Sequence, residues 1–407
     1  MEEPGADYLN ISSAGRLMPQ EEMLEVAKQR SNLLIGVPKE ISPVENRVSL
    51  VPDGVALLCR NGHQVMVEAG AGITAHFSDH EYSEAGAHLV YSCEEVYKAD
   101  IVLKVAPVTS EEMNYLHSRQ TLISAIQMSM QCEEYFRTLL SKRLTALAFE
   151  TIRDKTKQLS IIRAMSEIAG STAIFIAAEY LADPEYGRGK MFGGFTGIIP
   201  SEVVVIGAGT VGEFACRSAI GIGAQVKVFD NSVYRLRRIQ NNIGRRVFTS
   251  ILHPKVLIES LKTADVLIGA IHSPEGRTPC IITEEMIKQM KDGAVAIDVS
   301  IDQGGCFETS RPTSHKSPVF KMHGVTHYAV PNIPSRVPHT ASQALNNIIV
   351  PIILDIGSEG GIENLLKHDT GVRQGVYIYN GILTNLFISK RFNLPFQDIG
   401  LLMAAFH

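Results

Sequence analysis

Cysteine is scarce. Six residues in 407 (Cys59, Cys93, Cys132, Cys216, Cys280, Cys306) lie far apart, with no C-x-x-C pair and no histidine at metal-ligand spacing. That argues against a disulfide framework, leaves no candidate metal site, and fits reduced thiols in a cytoplasmic protein. Long apolar runs are also missing. Stretches such as Ile348-Ile349-Val350-Pro351-Ile352-Ile353-Leu354 fall far short of a membrane span, and the N-terminus carries Glu2, Glu3 and Asp7 with no apolar h-region of a signal peptide. Neither a membrane nor a secretory route is expected. No Lys/Arg cluster accumulates and the formal net charge is −5, so a nucleic-acid partner is not expected either. What remains is a small-molecule partner.

The balance that is present, 45% hydrophobic and 20% charged residues, is that of a globular protein. The length exceeds what one hydrophobic core organises, so two domains are expected.

The strongest positive signal is Val203-Val204-Val205-Ile206-Gly207-Ala208-Gly209-Thr210-Val211-Gly212, an apolar run feeding G-x-G-x-x-G. Gly207 permits a tight turn, Gly209 lets the backbone approach a pyrophosphate, and Gly212 lets the next helix pack closely on the strand. That helix would present its N-terminus, from Thr210 and Val211, to the phosphates. It would stop at Gly221 and Gly223. A second strand, Val226-Lys227-Val228-Phe229, then ends directly at Asp230. A carboxylate there accepts from a ribose 2′-hydroxyl and repels a 2′-phosphate, which selects NAD over NADP. Arg235, shortly after, reads as a solvated helix residue or an adenosine-side contact.

Apolar runs at 33–37, 65–68, 101–105, 121–125 and 145–149 alternate with helical stretches, and a second set follows at 203–206, 226–229, 266–268, 295–299 and 326–330. This rhythm predicts an α/β protein with two Rossmann-like domains built on parallel sheets. Long helices at 165–181 and 340–356 predict that the nucleotide domain is inserted between two halves of the substrate domain. The expected division is an extension over 1–32, with a candidate amphipathic helix at 21–30, a substrate domain over 33–164 and 339–407, and an NAD-binding domain with its linking helix over 165–338. The cofactor would lie in the cleft between the domains.

The chain resembles the alanine dehydrogenase family, which shares its architecture with the NAD(H)-binding domain of proton-translocating transhydrogenase. The resemblance runs from about residue 33 to about 390. It rests on Gly36-Val37-Pro38-Lys39-Glu40, Asn46-Arg47-Val48, Glu68-Ala69-Gly70-Ala71-Gly72, Phe77-Ser78-Asp79, Met165-Ser166-Glu167-Ile168-Ala169-Gly170 and the glycine fingerprint. Later segments are Ile301-Asp302-Gln303-Gly304-Gly305-Cys306, Thr309-Ser310-Arg311-Pro312-Thr313 and Pro331-Asn332-Ile333-Pro334. The runs at 165–167 and 302–306 look like the dehydrogenase branch. The resemblance implies NAD-dependent oxidative deamination of L-alanine to pyruvate and ammonia, reversible as reductive amination, in a homohexamer.

Carried over by position, Arg47 and Lys104 match the residues that hold the substrate carboxylate and carbonyl. A guanidinium pairs a carboxylate bidentately and an ammonium adds a point charge. The bland alternative for Arg47 is a surface arginine. Asp302 matches the catalytic aspartate beside the nicotinamide, with Asp298 a rival that as a strand-end acid would cap backbone amides. Ser166, Ile271, Asp302 and Asn332 match cofactor contacts.

One departure bears on the chemistry. Gln127 stands where the family carries its catalytic histidine, and an amide cannot exchange a proton near neutral pH. Ser171, Ala106 and His339 also replace residues of other character. Three consequences are open: the proton passes through Asp302 or Lys104, with His76 behind them unless it is merely a solvated loop residue; the substrate is not alanine; or the chemistry is lost and a dinucleotide-binding module remains.

Overall fold

A strand buried on both faces must be apolar along its whole length, and the short apolar runs meet that requirement in two separate sheets. The computed structural model describes residues 31–273 and 276–405; the candidate helix at 21–30 lies outside them. The strands are β1 (Leu34–Val37), β2 (Gln64–Glu68), β3 (His88–Val90), β4 (Ile101–Leu103), β5 (Thr121–Ser124), β6 (Thr145–Ala148), β7 (Glu202–Ile206), β8 (Gln225–Phe229), β9 (Phe248–Ser250), β10 (Val266–Gly269), β11 (Val295–Asp298), β12 (Val319–Met322), β13 (Val325–Tyr328), β14 (Val376–Tyr379) and β15 (Ile382–Leu383).

The first sheet has the order β15-β14-β6-β5-β4-β1-β2-β3, and the second β12-β13-β11-β10-β7-β8-β9. Each contains a parallel run of the doubly wound kind whose strand order reverses once, between β1 and β4 and between β7 and β10. Ligands of such sheets bind outside the carboxyl ends of the strands at that reversal. The first of these points lies beside the loop that carries Glu40 and Arg47, and the second beside the glycine fingerprint.

The sheets are not wholly parallel. β12 pairs antiparallel with β13, and β14 pairs antiparallel with both β6 and β15. The expected α/β architecture on two mostly parallel sheets is what is found, with antiparallel strands added at one end of each. Both exceptions are edge additions, where a returning segment pairs with whatever backbone the sheet leaves open. The strands that periodicity did not anticipate, β3, β9, β12, β14 and β15, are short and lie at or next to an edge.

Two long helices, Ser160–Ala182 and Pro338–Ser358, run between the sheets in sequence. The first is long and apolar enough to cross a membrane by length and composition alone. Its Ala169, Ala173, Ile174, Ile176 and Ala177 are instead packed into the core of the nucleotide sheet. Gly170 is the point of closest approach to the helix Thr210–Gly221: a Cβ there would lie 2.3 Å from the Val211 carbonyl oxygen. The second helix is tied to the first domain where Ser342 Oγ accepts from Val48 N at 2.9 Å and Asn346 Oδ1 from Val51 N at 3.2 Å.

Candidate active site

The nucleotide turn is built as its glycines require. Gly207 has φ +108°, and a Cβ on it would sit 2.3 Å from the Ala270 carbonyl oxygen across the strand reversal. A Cβ on Gly212 would meet the Gly207 carbonyl oxygen at 1.9 Å, so this glycine sets the helix-to-strand spacing. Gly209 has nothing within 4 Å of its Cβ position. Packing therefore explains two of the three glycines. The third faces open space at the N-terminus of the helix Thr210–Gly221, where Thr210 and Val211 form the first turn, and that is where a phosphate would approach.

Asp230 is buried at the end of β8. Its Oδ2 accepts from Ala208 N at 2.8 Å and its Oδ1 from Ser232 N at 2.7 Å, so the carboxylate holds the glycine turn in place. Each oxygen keeps a lone pair for a ribose hydroxyl. Arg235 Nη1 is 3.8 Å from Asp230 Oδ2 on a half-exposed side chain, a weak pair. Ser166 lies one helical turn before Gly170 on the helix Ser160–Ala182. Ile271 N donates to Ser300 Oγ at 3.0 Å, fixing the chain after β10 against the segment that leads to Asp302. The residues present suit a dinucleotide.

Asp298 and Asp302 divide their roles cleanly. Asp298, at the end of β11, is buried and accepts from Ser300 N, Cys306 N, Phe307 N and Ser310 Oγ at 3.0, 2.9, 3.3 and 2.6 Å. It knots the Asp302 loop together. Asp302 keeps exposed surface and, among the described residues, accepts from Asn332 N at 3.0 Å. Burial raises its pKa above the ordinary carboxylate value; the Asn332 amide and the Arg47 charge oppose this, and Asp298 adds to it.

Asn332, at φ +58°, reaches the other domain: its Nδ2 donates to Glu45 Oε2 at 3.0 Å and to the Val44 carbonyl at 3.3 Å. Asn46 donates from its backbone N to Ser335 Oγ at 2.8 Å and from Nδ2 to the Ser335 carbonyl at 3.1 Å, so the loop after β1 is fastened beside Asp302. Arg47, which follows in that loop, is buried and not a surface arginine. Its Nε and Nη2 donate to the two Glu45 oxygens at 2.7 and 2.6 Å, and its Nη1 to Met165 Sδ at 3.2 Å. Burial lowers the Arg47 pKa, but the charge and hydrogen bonds of Glu45, with Glu40 and Asp302, outweigh it and hold the guanidinium ionised.

Lys104 follows β4, at the strand reversal, with 1% of its surface exposed. Its ammonium is spanned by Glu40 Oε2 at 3.0 Å and Glu112 Oε1 at 2.8 Å, and Glu40 Oε1 accepts from Val105 N at 2.6 Å. Burial pushes the ammonium pKa down, and the two carboxylates more than reverse that. Two of the three N–H bonds of this nearly buried ammonium are thus taken by carboxylates. Ala106 is buried just beyond it.

Gln127 is exposed in a left-handed conformation, φ +49°, that a residue other than glycine rarely adopts. The Glu150 carboxylate holds it there, accepting from Gln127 N at 2.8 Å and from Ile126 N at 2.9 Å; burial raises the pKa of that acid. His76 is exposed with φ +62° after the turn Ile73–Ala75, His339 stacks on Phe77 with ring centroids 4.6 Å apart, and Ser171 is half-buried on the first long helix.

Glu40, Glu45, Glu112 and Glu150 were not singled out from sequence. One signal was available: a lysine ending an apolar strand needs buried carboxylates, and these had to come from loops at the same strand ends. Nothing local says which glutamates they are.

Residues 36–169 match the family described as alanine dehydrogenase/PNT, N-terminal domain, and residues 173–386 the corresponding C-terminal domain. The chain belongs to the alanine dehydrogenase/PNT family. The alanine dehydrogenase of Bacillus subtilis is 40% identical over 354 residues, covering 86% of this chain and 93% of that protein. That of Staphylococcus saprophyticus is 38% identical over 368 residues, 90% of this chain and 99% of its own. A solved L-alanine dehydrogenase superposes with TM-score 0.83 at 36% identity, covering 89% of this chain and 99% of that one. A transhydrogenase from Sinorhizobium meliloti shares the fold, with TM-score 0.74 at 24% identity, 87% of this chain and 99% of its own.

Proposed function

We propose that this chain is an NAD-dependent dehydrogenase of a small amino acid, with L-alanine as substrate in one direction and pyruvate with ammonium in the other. The observation that carries the reading is that the Asp302 carboxyl and the buried Arg47 guanidinium feel each other's charge, with the Asp302 pKa raised by burial, in a chain that also holds a glycine turn with open space at Gly209. The 36–40% identity to alanine dehydrogenases over nearly the whole chain supports the substrate. We read 33–164 with 339–407 as the substrate domain and 165–338 as the nucleotide domain. The same reading carries a homo-oligomer, a hexamer in the resemblance, in the cytoplasm.

Bound NAD would supply a hydride acceptor, held by Asp230, Ser166, Ile271, Asn332 and the turn from Gly207 through Gly209, Thr210 and Val211 to Gly212. Arg47 fixes the substrate carboxylate. Asp302 orients the water that attacks the α-carbon and takes its proton, and burial moves its pKa toward the range where that exchange is efficient. Gln127 donates a hydrogen bond to the carbonyl or the water without exchanging a proton. We assign Lys104 to the floor of the site, where its charge balances two carboxylates.

NADH absorbance with alanine and NAD, and with pyruvate, ammonium and NADH, tests the proposal. Turnover is expected in the wild type and none in Asp302→Asn. The same variant should be slightly more stable at neutral pH. The raised folded-state pKa means that Asp302 favours folding below its unfolded value near 3.9 and loses that contribution as pH rises. A second reading, an NAD(H)-binding protein without turnover, is favoured by Gln127 and by the sequestered Lys104. NADH binding with no change of absorbance in either direction selects it.

A further inference from the structure

Arg47 already has a carboxylate on it. Glu45 spans its Nε and Nη2 at 2.7 and 2.6 Å, with side chains only 2% and 10% exposed respectively. Glu45 Oε2 is also held from the opposite domain by Asn332 Nδ2 at 3.0 Å. A carboxylate lying bidentate on a buried guanidinium, across from Asp302, is the arrangement that the carboxylate of an amino acid or 2-oxo acid would need to take at this position.

We propose that Glu45 is an internal stand-in for the substrate carboxylate, so that substrate binds to Arg47 by exchange and not by addition. This rests on the preceding reading that a small amino or 2-oxo acid is the substrate. Three features support exchange. The charged groups that act on Arg47 besides Glu45 are Glu40 and Asp302, both acids, so a further anion gains little unless one leaves. The neighbouring cation, Lys104, is already balanced by the two carboxylates of Glu40 and Glu112 and so adds little attraction for a further anion. Among the described residues the remaining guanidinium nitrogen, Nη1, meets the weak acceptor Met165 Sδ, which gives an incoming carboxylate a first contact from which to displace Glu45.

Asn332 gives the displaced glutamate a place to stay. It holds Glu45 through Nδ2 and Asp302 through its backbone N, so release of Arg47 need not leave the Glu45 charge unpaired. The exchange is thereby coupled to the segment that also positions Asp302. An occupied fork lowers apparent affinity by the fraction of molecules in which it is open, and a charge-assisted pair of this kind makes that factor about tenfold.

The test uses the full chain saturated with NADH, titrated calorimetrically with oxamate, a 2-oxo acid mimic that cannot be reduced. Oxamate should bind about tenfold more tightly to Glu45→Gln than to the wild type, with NADH affinity unchanged. Glu45→Asp, which keeps the charge but is too short to span the fork, should fall between them; if Glu45→Gln does not fold, this variant decides alone. Arg47→Met should lose oxamate in every background. Weaker or equal oxamate binding in the Glu45 variants, with NADH still bound, means that Glu45 orients Arg47; this overturns exchange and leaves the substrate reading standing. Binding to neither protein, with NADH bound to both, overturns the substrate reading and the exchange together.

Discussion

Replacing Lys104 by methionine separates a structural cation from a substrate ligand. The ammonium lies 3.0 Å from Glu40 and 2.8 Å from Glu112, whose side chains are 5% and 3% exposed, so solvent does little to screen the triad. Removing one partner of a buried ion pair costs about 3–5 kcal/mol, because the other charge is left without compensation. Two features place this site near the lower limit. Methionine refills most of the stem volume, and both acids keep a backbone donor, Val105 N on Glu40 at 2.6 Å and Thr109 N on Glu112 at 2.7 Å. A loss of about 3 kcal/mol corresponds to roughly 6–12 °C in Tm for a domain of ordinary size.

The pH dependence has a definite sign. The raised Lys104 pKa makes its contribution complete below the unfolded lysine value of about 10.4 and lost only as pH rises through the folded one, so the wild type shows no loss near neutrality. In Lys104→Met the deficit should shrink as pH falls, because the orphaned acids take up protons. Chemical denaturation followed by circular dichroism reads the stability, and NADH titration reads the cofactor site independently. The triple change Glu40→Gln, Lys104→Met, Glu112→Gln should recover much of the loss. An unchanged denaturation midpoint with turnover abolished would refute this reasoning and return Lys104 to the substrate.

The glycine turn gives a sharper pair. Gly209→Ala should fold normally and lose most NADH affinity, since its Cβ enters open space, whereas Gly212→Ala should lose several kcal/mol of stability against the carbonyl at 1.9 Å; thermal melts with and without NADH distinguish them. NAD should bind more tightly than NADP by calorimetry, and Asp230→Asn should narrow the gap, whereas equal wild-type affinities would disprove the ribose assignment. Gln127→His should raise reductive amination of pyruvate at least about tenfold, a modest part of what a positioned general acid or base contributes. A fall in an existing activity would instead assign Gln127 to a different proton route.

What the sequence by itself determined is what local rules govern. The glycine turn, the apolar strands around it and Asp230 lie within one βαβ unit, where spacing along the chain is spacing in space. Strand existence in the parallel runs was legible for the same reason: burial on both faces leaves an unbroken apolar signature. Asp298 was legible as a cap because a strand-end acid meets the amides that follow it.

The tertiary structure decided the rest. The strands β14 and β15 at the end of the first sheet carry no pattern that names their partner, since antiparallel addition to β6 depends on where the chain returns more than two hundred residues later. Charge pairing is likewise non-local: nothing around Lys104 says that Glu40, sixty-four residues away, will neutralise it. The state of Arg47 depends on Glu45, two positions away, but also on Asn332, which is 287 residues from that glutamate. Residue type told which groups were able to do chemistry. Only the fold decided which were free to do it, because at short range a buried charge belongs to whichever opposite charge the packing brings to it.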